Sequence, residues 1–97
     1  MENQKFDFEQ AKALQQKLKG RIETVDGMLN KMQTTVNGVR AWWKGGSEEG
    51  FIRNFETTRK QIRKGLQEWL RDYEKLTKDI ATAQRKSEDD LTKALKN

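Results

Sequence analysis

Trp42-Trp43-Lys44-Gly45-Gly46-Ser47 lies almost at the midpoint of a 97-residue chain and decides how the rest is read. Two adjacent glycines let the backbone take the positive φ that other residues avoid, so the chain can reverse here. Proline is absent, so nothing else forces a break. Helices joined by so short a linker are antiparallel neighbours. The sequence on either side is therefore expected to form the two arms of one helical hairpin.

Both arms carry helix periodicity. Upstream, apolar residues recur in steps of three and four: Ala11, Leu14, Leu18, Ile22, Val25 and Leu29, then Met32, Val36, Val39 and Trp43. A spacing this close to 3.5 residues marks a narrow seam of the coiled-coil kind. Asp7 is placed to cap the first helix, with Gln10 three residues on, and Phe6 and Ala11 can form a weak staple. Downstream, the stripe runs through Phe51, Phe55, Thr58, Ile62 and Leu66, then Trp69, Tyr73, Leu76, Ile80 and Ala83. Ser47 is expected as the N-cap, and Glu48 and Glu49 suit the positive end of the helix dipole. The chain thus divides as one domain over 1–97: a helix over 8–42, a turn over 43–47, a helix over 48–83 or longer, and a tail over 84–97.

The expected partner seam consists of Leu18, Ile22, Val25, Leu29, Met32 and Val36 from the first arm. The second arm adds Phe55, Ile62, Leu66, Trp69, Tyr73 and Leu76, with Trp69 and Tyr73 read as core residues. Ile52 and Leu70 fall off the stripe and are expected to widen the contact toward a second hairpin. Trp42 also lies off it, either exposed for a partner or packed on a facing hairpin. Gly20, Gly27, Gly38, Gly50 and Gly65 interrupt the helices, at about 1 kcal/mol each relative to Ala, so packing must hold them. They are expected on solvent faces or at close helix approaches.

Hydrophobic residues make up 33% and charged residues 36% of the chain, and the mean hydropathy is −1.09. That fills a seam between helices rather than a broad core. Association is one remedy for so small a core, so the fold class expected is all-α: an antiparallel hairpin that dimerises into an elongated four-helix bundle. Cysteine and histidine are both absent. Disulfides, ordinary zinc sites, Cys nucleophiles and His bases are thereby excluded, and no residue set assembles a catalytic site or calls for a cofactor. No stretch approaches the roughly 20 apolar residues of a membrane span. The start, MENQKFDFEQ, lacks the basic-then-apolar pattern of a Sec-type signal peptide, so any export must use a route without a cleaved signal.

The net charge is +5 and the pI about 9.6. Arg59, Lys60, Arg63 and Lys64 form the densest basic run and are expected as a solvated face of a long helix or, failing that, as a contact for an acidic protein partner. Nucleic acid is a third reading only, because the compact scaffold that seats a helix in a groove is missing.

Trp43 and Gly45, with Ser47 two residues beyond the Gly and Phe51 four beyond that, resemble the turn of the WXG100 family, the early-secreted-antigen-like substrates of bacterial type VII secretion. Length and mid-chain position match as well, and the resemblance covers essentially the whole chain. Near the C-terminus, Glu88, Leu91 and Leu95 match the acidic and the last two apolar places of the tail motif of Firmicute-type members, while Gln84 departs from it at the first apolar place. The mycobacterial-type Tyr-xxx-acidic signal is not met, since Thr77 lies four residues after Tyr73.

The resemblance implies a bundle of two hairpins, from two copies or from this chain and a related WXG-like protein. It implies secretion through a membrane-bound type VII ATPase. Trp43, Gly45 and Phe51 would then form the turn half of a composite export signal, and Glu88, Leu91 and Leu95 the tail half. Roles in virulence or interbacterial competition go with that family. An alternative is a targeting partner that binds the helical N-terminal domain of a larger LXG-type toxin.

Overall fold

A computed structural model describes residues 6–96, with side chains described through Glu88 and at Leu95. Helix α1 spans Phe8–Asn37, a short 3-10 helix spans Gly38–Ala41, and helix α2 spans Ser47–Lys96. The two long helices run antiparallel as a rod with principal extents of 81 × 19 × 19 Å. Among the described residues there is no strand, and no helix is long and apolar enough to cross a membrane.

Asp7 caps α1 as its sequence position indicates: its carboxylate accepts from the Gln10 backbone N–H at 3.1 Å. Phe6 and Ala11, the expected staple pair, line one surface groove. The Phe6 ring also meets Phe8 edge-on at 5.0 Å, and Ala11 is buried against α2. The α-helix ends at Asn37, earlier than the expected 42. Glycine is a poor helix former, and at Gly38 the chain tightens into the 3-10 turn. The Val39 carbonyl then accepts from both Trp42 N–H (3.1 Å) and Trp43 N–H (2.8 Å), which closes off the arm.

The interior of the hairpin is one narrow seam. Ile52 is its most buried side chain at 5% exposure, followed by Leu29 at 7%. Leu18, Ile22, Val25 and Val36 of α1, and Phe55, Leu66, Leu70 and Tyr73 of α2, are half-buried along it. Ile52 and Leu70, expected to face a second hairpin, therefore face α1. On α2 the inward positions follow the heptad Leu66, Leu70, Tyr73, Thr77, Ile80 and Gln84. A helix rotates about 100° per residue, so one position displaced is enough to move a side chain from the seam to its flank.

The seam residues read from the sequence accordingly divide. Met32 (49%), Ile62 (40%), Trp69 (52%) and Leu76 (56%) stand exposed on a flank of the single hairpin. Trp69 is therefore not a core residue of the hairpin itself.

A Cβ built at Gly20, Gly27 or Gly65 meets nothing within 4 Å, which places these glycines on open faces. Gly20→Ala and Gly27→Ala are each expected to stabilise α1 by about 1 kcal/mol. The check is a rise of several degrees in the thermal midpoint followed by circular dichroism. An unchanged or lowered midpoint would mean that these positions face a partner in solution.

Candidate functional site: the hairpin turn and the apolar flank

The turn is built from an aromatic stack, an ion pair and two glycines. Gly45 (φ 124°) and Gly46 (φ 102°) both occupy the region that side-chain-bearing residues avoid, and together they reverse the chain. Trp43 folds back on α2. Its ring centroid is 5.4 Å from that of Phe51, and its indole N–H donates to the Ser47 hydroxyl at 3.1 Å. Ser47 is thus the first residue of α2 and the acceptor for Trp43, in place of the expected N-cap role. Trp42 stacks on Trp43 at 6.1 Å and remains 72% exposed. The described geometry places it outward, on the tip of the rod.

Arg40 clasps the turn from the other side. Its Nε and Nη2 donate to the two carboxylate oxygens of Glu49, both at 2.8 Å, a bidentate pair of the strong kind. Lys44 Nζ donates to the Arg40 carbonyl at 2.8 Å. Neither contact was legible in the sequence, because the partners are joined only once the turn has formed. The hydrogen bond from Arg40 holds the Glu49 carboxyl below its ordinary pKa, against a desolvation effect in the opposite direction. The same bond raises Arg40.

A depressed carboxyl contributes stability that is fully present above the unfolded pKa of about 4.3 and is lost as pH falls through the folded value. The thermal midpoint should therefore fall as the solution is acidified from that point downward. Glu49→Gln should remove this part of the fall, which circular dichroism melts across an acid series would detect. Identical pH profiles for the two chains would exclude a contribution from the clasp.

At the open end of the hairpin the Tyr73 hydroxyl donates to the Ala11 carbonyl at 2.7 Å, and Gln15 donates to the Glu74 carboxylate. Of the basic run, Arg59 donates to Asn30 (2.9 Å) and Gln33 (3.3 Å), and Arg63 pairs with Asp26 at 3.3 Å. Lys60 pairs with Glu56 and Lys64 with Glu68 one turn along α2. Two of the four cations thus bridge to α1, and the run does not form one free patch.

The exposed apolar side chains are not scattered. Leu14, Met28 and Met32 of α1 and Phe51, Ile62, Trp69 and Leu76 of α2 are each at least 40% exposed. On an antiparallel pair, the helical positions of these two sets fall on the same side of the rod. Leu14 and Tyr73 share a surface groove on that side. Lys12, Glu74 and Lys78 share another on the opposite side. One side of the hairpin thus carries most of the large exposed apolar groups, while the other holds Lys12, Glu74 and Lys78 together with Phe8.

In the tail, α2 continues past the start of α1, with Phe6 opposite Gln84, Ser87 and Glu88. Gln84 is half-buried there and Glu88 exposed; Leu95 is 78% exposed. Leu91 lies outside the described side chains. Trp43, Gly45 and Phe51 are brought together in the turn, and the tail residues stand at the other end of the same rod. Among the described residues no group of acidic side chains is arranged to hold a metal ion.

Compared with models of known protein families, with characterised proteins and with solved structures, the chain shows no significant match.

Proposed function

We propose that this chain is a small, non-enzymatic type VII secretion substrate that pairs through its apolar face and is exported without a cleaved signal peptide. The observation that carries the proposal is the turn: Trp43 packed on Phe51 and bonded to Ser47, with Gly45 and Gly46 reversing the chain. The arrangement gives each residue of the WXG-like motif a physical task and leaves Trp42 exposed at the tip.

Pairing is supported by surface area. The hairpin exposes 8102 Å², about 2,300 Å² more than a compact monomer of its mass would. Two copies together hold an excess of about 4,600 Å², within the range that permanent dimers bury. Large apolar groups gathered on one side of a rod are what such an interface needs.

Trp43→Arg is expected to abolish secretion by the producing cell while leaving the helical circular dichroism nearly intact. Normal secretion of this variant would sink the export role.

A second reading is favoured by Gln84, which stands half-buried beside Phe6 where the tail motif calls for an apolar residue. A chain with an incomplete tail signal suits a mixed pair, in which it serves as targeting partner for the helical N-terminal domain of a larger LXG-type toxin. Co-purification with such a protein, encoded nearby, supports this version. A stable homodimer that ignores it counts against it.

A further inference from the structure

The polar face, opposite Trp69, carries charge in a regular order. On α2, Lys64, Arg71, Lys78 and Arg85 recur every seven residues, and on α1 Lys12 and Lys19 do the same. Lys12 and Lys78 flank a shallow groove of about 480 Å³ between the helices, with Phe8, Ala11 and Ala81 also lining it. Glu74 and Gln15 in that groove are bonded to each other. Other cations of α2, namely Lys60, Arg63, Lys64 and Lys75, each have a carboxylate partner. Lys12, Lys19, Arg71, Lys78 and Arg85 have no ion pair or side-chain hydrogen bond among the described residues. Lys12 and Lys78 thus stand on opposite banks of the groove, against the one carboxylate of Glu74 among its lining residues, and Lys19, Arg71 and Arg85 continue their columns beyond it, at the end of the rod away from the turn.

The repeat selects the shape of the partner. Cations seven residues apart on a helix stand about 10.5 Å apart in a nearly straight column. A second helix packed alongside presents its own side chains at the same repeat. The phosphates of a nucleic-acid duplex wind away from a straight column, and a helix that lies on lipid has its large apolar groups on the membrane-facing side. Here all of those groups except Phe8 and those at the rod's two ends are on the opposite face.

We propose that this groove binds an acidic amphipathic helix of another protein, with Glu or Asp at heptad positions against Lys12, Lys19, Arg71 and Lys78, and small apolar residues over Phe8, Ala11 and Ala81. The site is separate from the pairing face, so the two can be occupied together and can fail separately.

The test uses the full chain and a fluorescent helical peptide of about three heptads with Glu at the matching positions. A control peptide has Gln in place of each Glu, and affinity is read by anisotropy. The Glu peptide is expected to bind, to weaken as salt is raised through the Debye regime, and to outbind the Gln peptide. Arg71→Glu with Lys78→Glu should reduce its affinity about tenfold or more, because like charges then face each other. Arg71→Gln with Lys78→Gln should reduce it less, which guards against a folding defect in the reversed variant. Lys31→Glu, on the outer side of α1, and Ile62→Glu with Trp69→Glu, on the pairing face, should leave binding unchanged. Equal binding of the two peptides, full binding by the charge-reversed chain, or loss of binding on substitution of the pairing face would each overturn the proposal. So would tighter binding to a DNA duplex, or to phosphatidylserine vesicles, than to the Glu peptide.

Discussion

A chain carrying Ile62→Glu and Trp69→Glu is expected to run as a monomer in light scattering at concentrations where the parent runs as a dimer. Both side chains stand partly exposed on the flank of the isolated hairpin, at 40% and 52%, so the substitutions spare the buried seam at Ile52 and Leu29 that holds α1 to α2. Burying two carboxylates in an apolar interface without partners costs several kcal/mol each, and every 1.4 kcal/mol is tenfold in the dissociation constant. Two such groups per chain, doubled by symmetry, should shift pairing by several orders of magnitude. The helical signal at concentrations where the parent also dissociates should be unchanged. A parent chain that is itself monomeric at tens of micromolar would refute the pairing face, and a double variant that still dimerises would refute its location.

Ile52→Ala should have the opposite pattern. Ile52 is the most buried side chain of the hairpin, at 5% exposure. Truncating a buried Ile to Ala costs about 2–5 kcal/mol. Against the 5–15 kcal/mol that domains generally possess, and for a seam this thin, such a loss leaves a substantial unfolded population. The loss should appear at every protein concentration, because it belongs to the contact between α1 and α2. Trp69→Ala should instead remove the concentration dependence of the thermal midpoint, since a paired state is stabilised by mass action. Melts of both variants over a hundredfold range of concentration separate the two faces. If Ile52→Ala were harmless and Trp69→Ala crippling in dilute solution, the assignment of inner and outer stripes would be reversed.

That assignment is also where sequence reading reached its limit. The reversal at Gly45-Gly46, the Asp7 cap and the two helical arms were legible because each depends on local chemistry: a backbone without Cβ, a carboxylate before a helix, a period near 3.5. The inward face of α2 was not. Ile62, Trp69 and Leu76 follow one heptad column with Phe51 on the same flank, and Ile52, Leu66, Leu70 and Tyr73 lie on an adjacent face. Both are apolar, so periodicity alone joins them into one broad stripe. Only the crossing of α2 against α1 decides which of them is covered. Ser47 failed as a cap for a related reason: its hydroxyl had a second donor, the Trp43 indole, that comes within reach only after the chain has turned. Arg40 and Glu49, nine residues apart, and Tyr73 and Ala11, sixty-two apart, were beyond any local rule.

The narrowness of the rod also sets a gauge. A single hairpin presents 19 × 19 Å end-on, whereas two laid side by side double one of those dimensions to roughly 38 Å. Any conduit that passes this chain in one piece must therefore open to about the first figure for a lone hairpin and to the second for a pair. The bore of that conduit would then act as a sorter of assembly state, admitting partners together or making them part at the entrance.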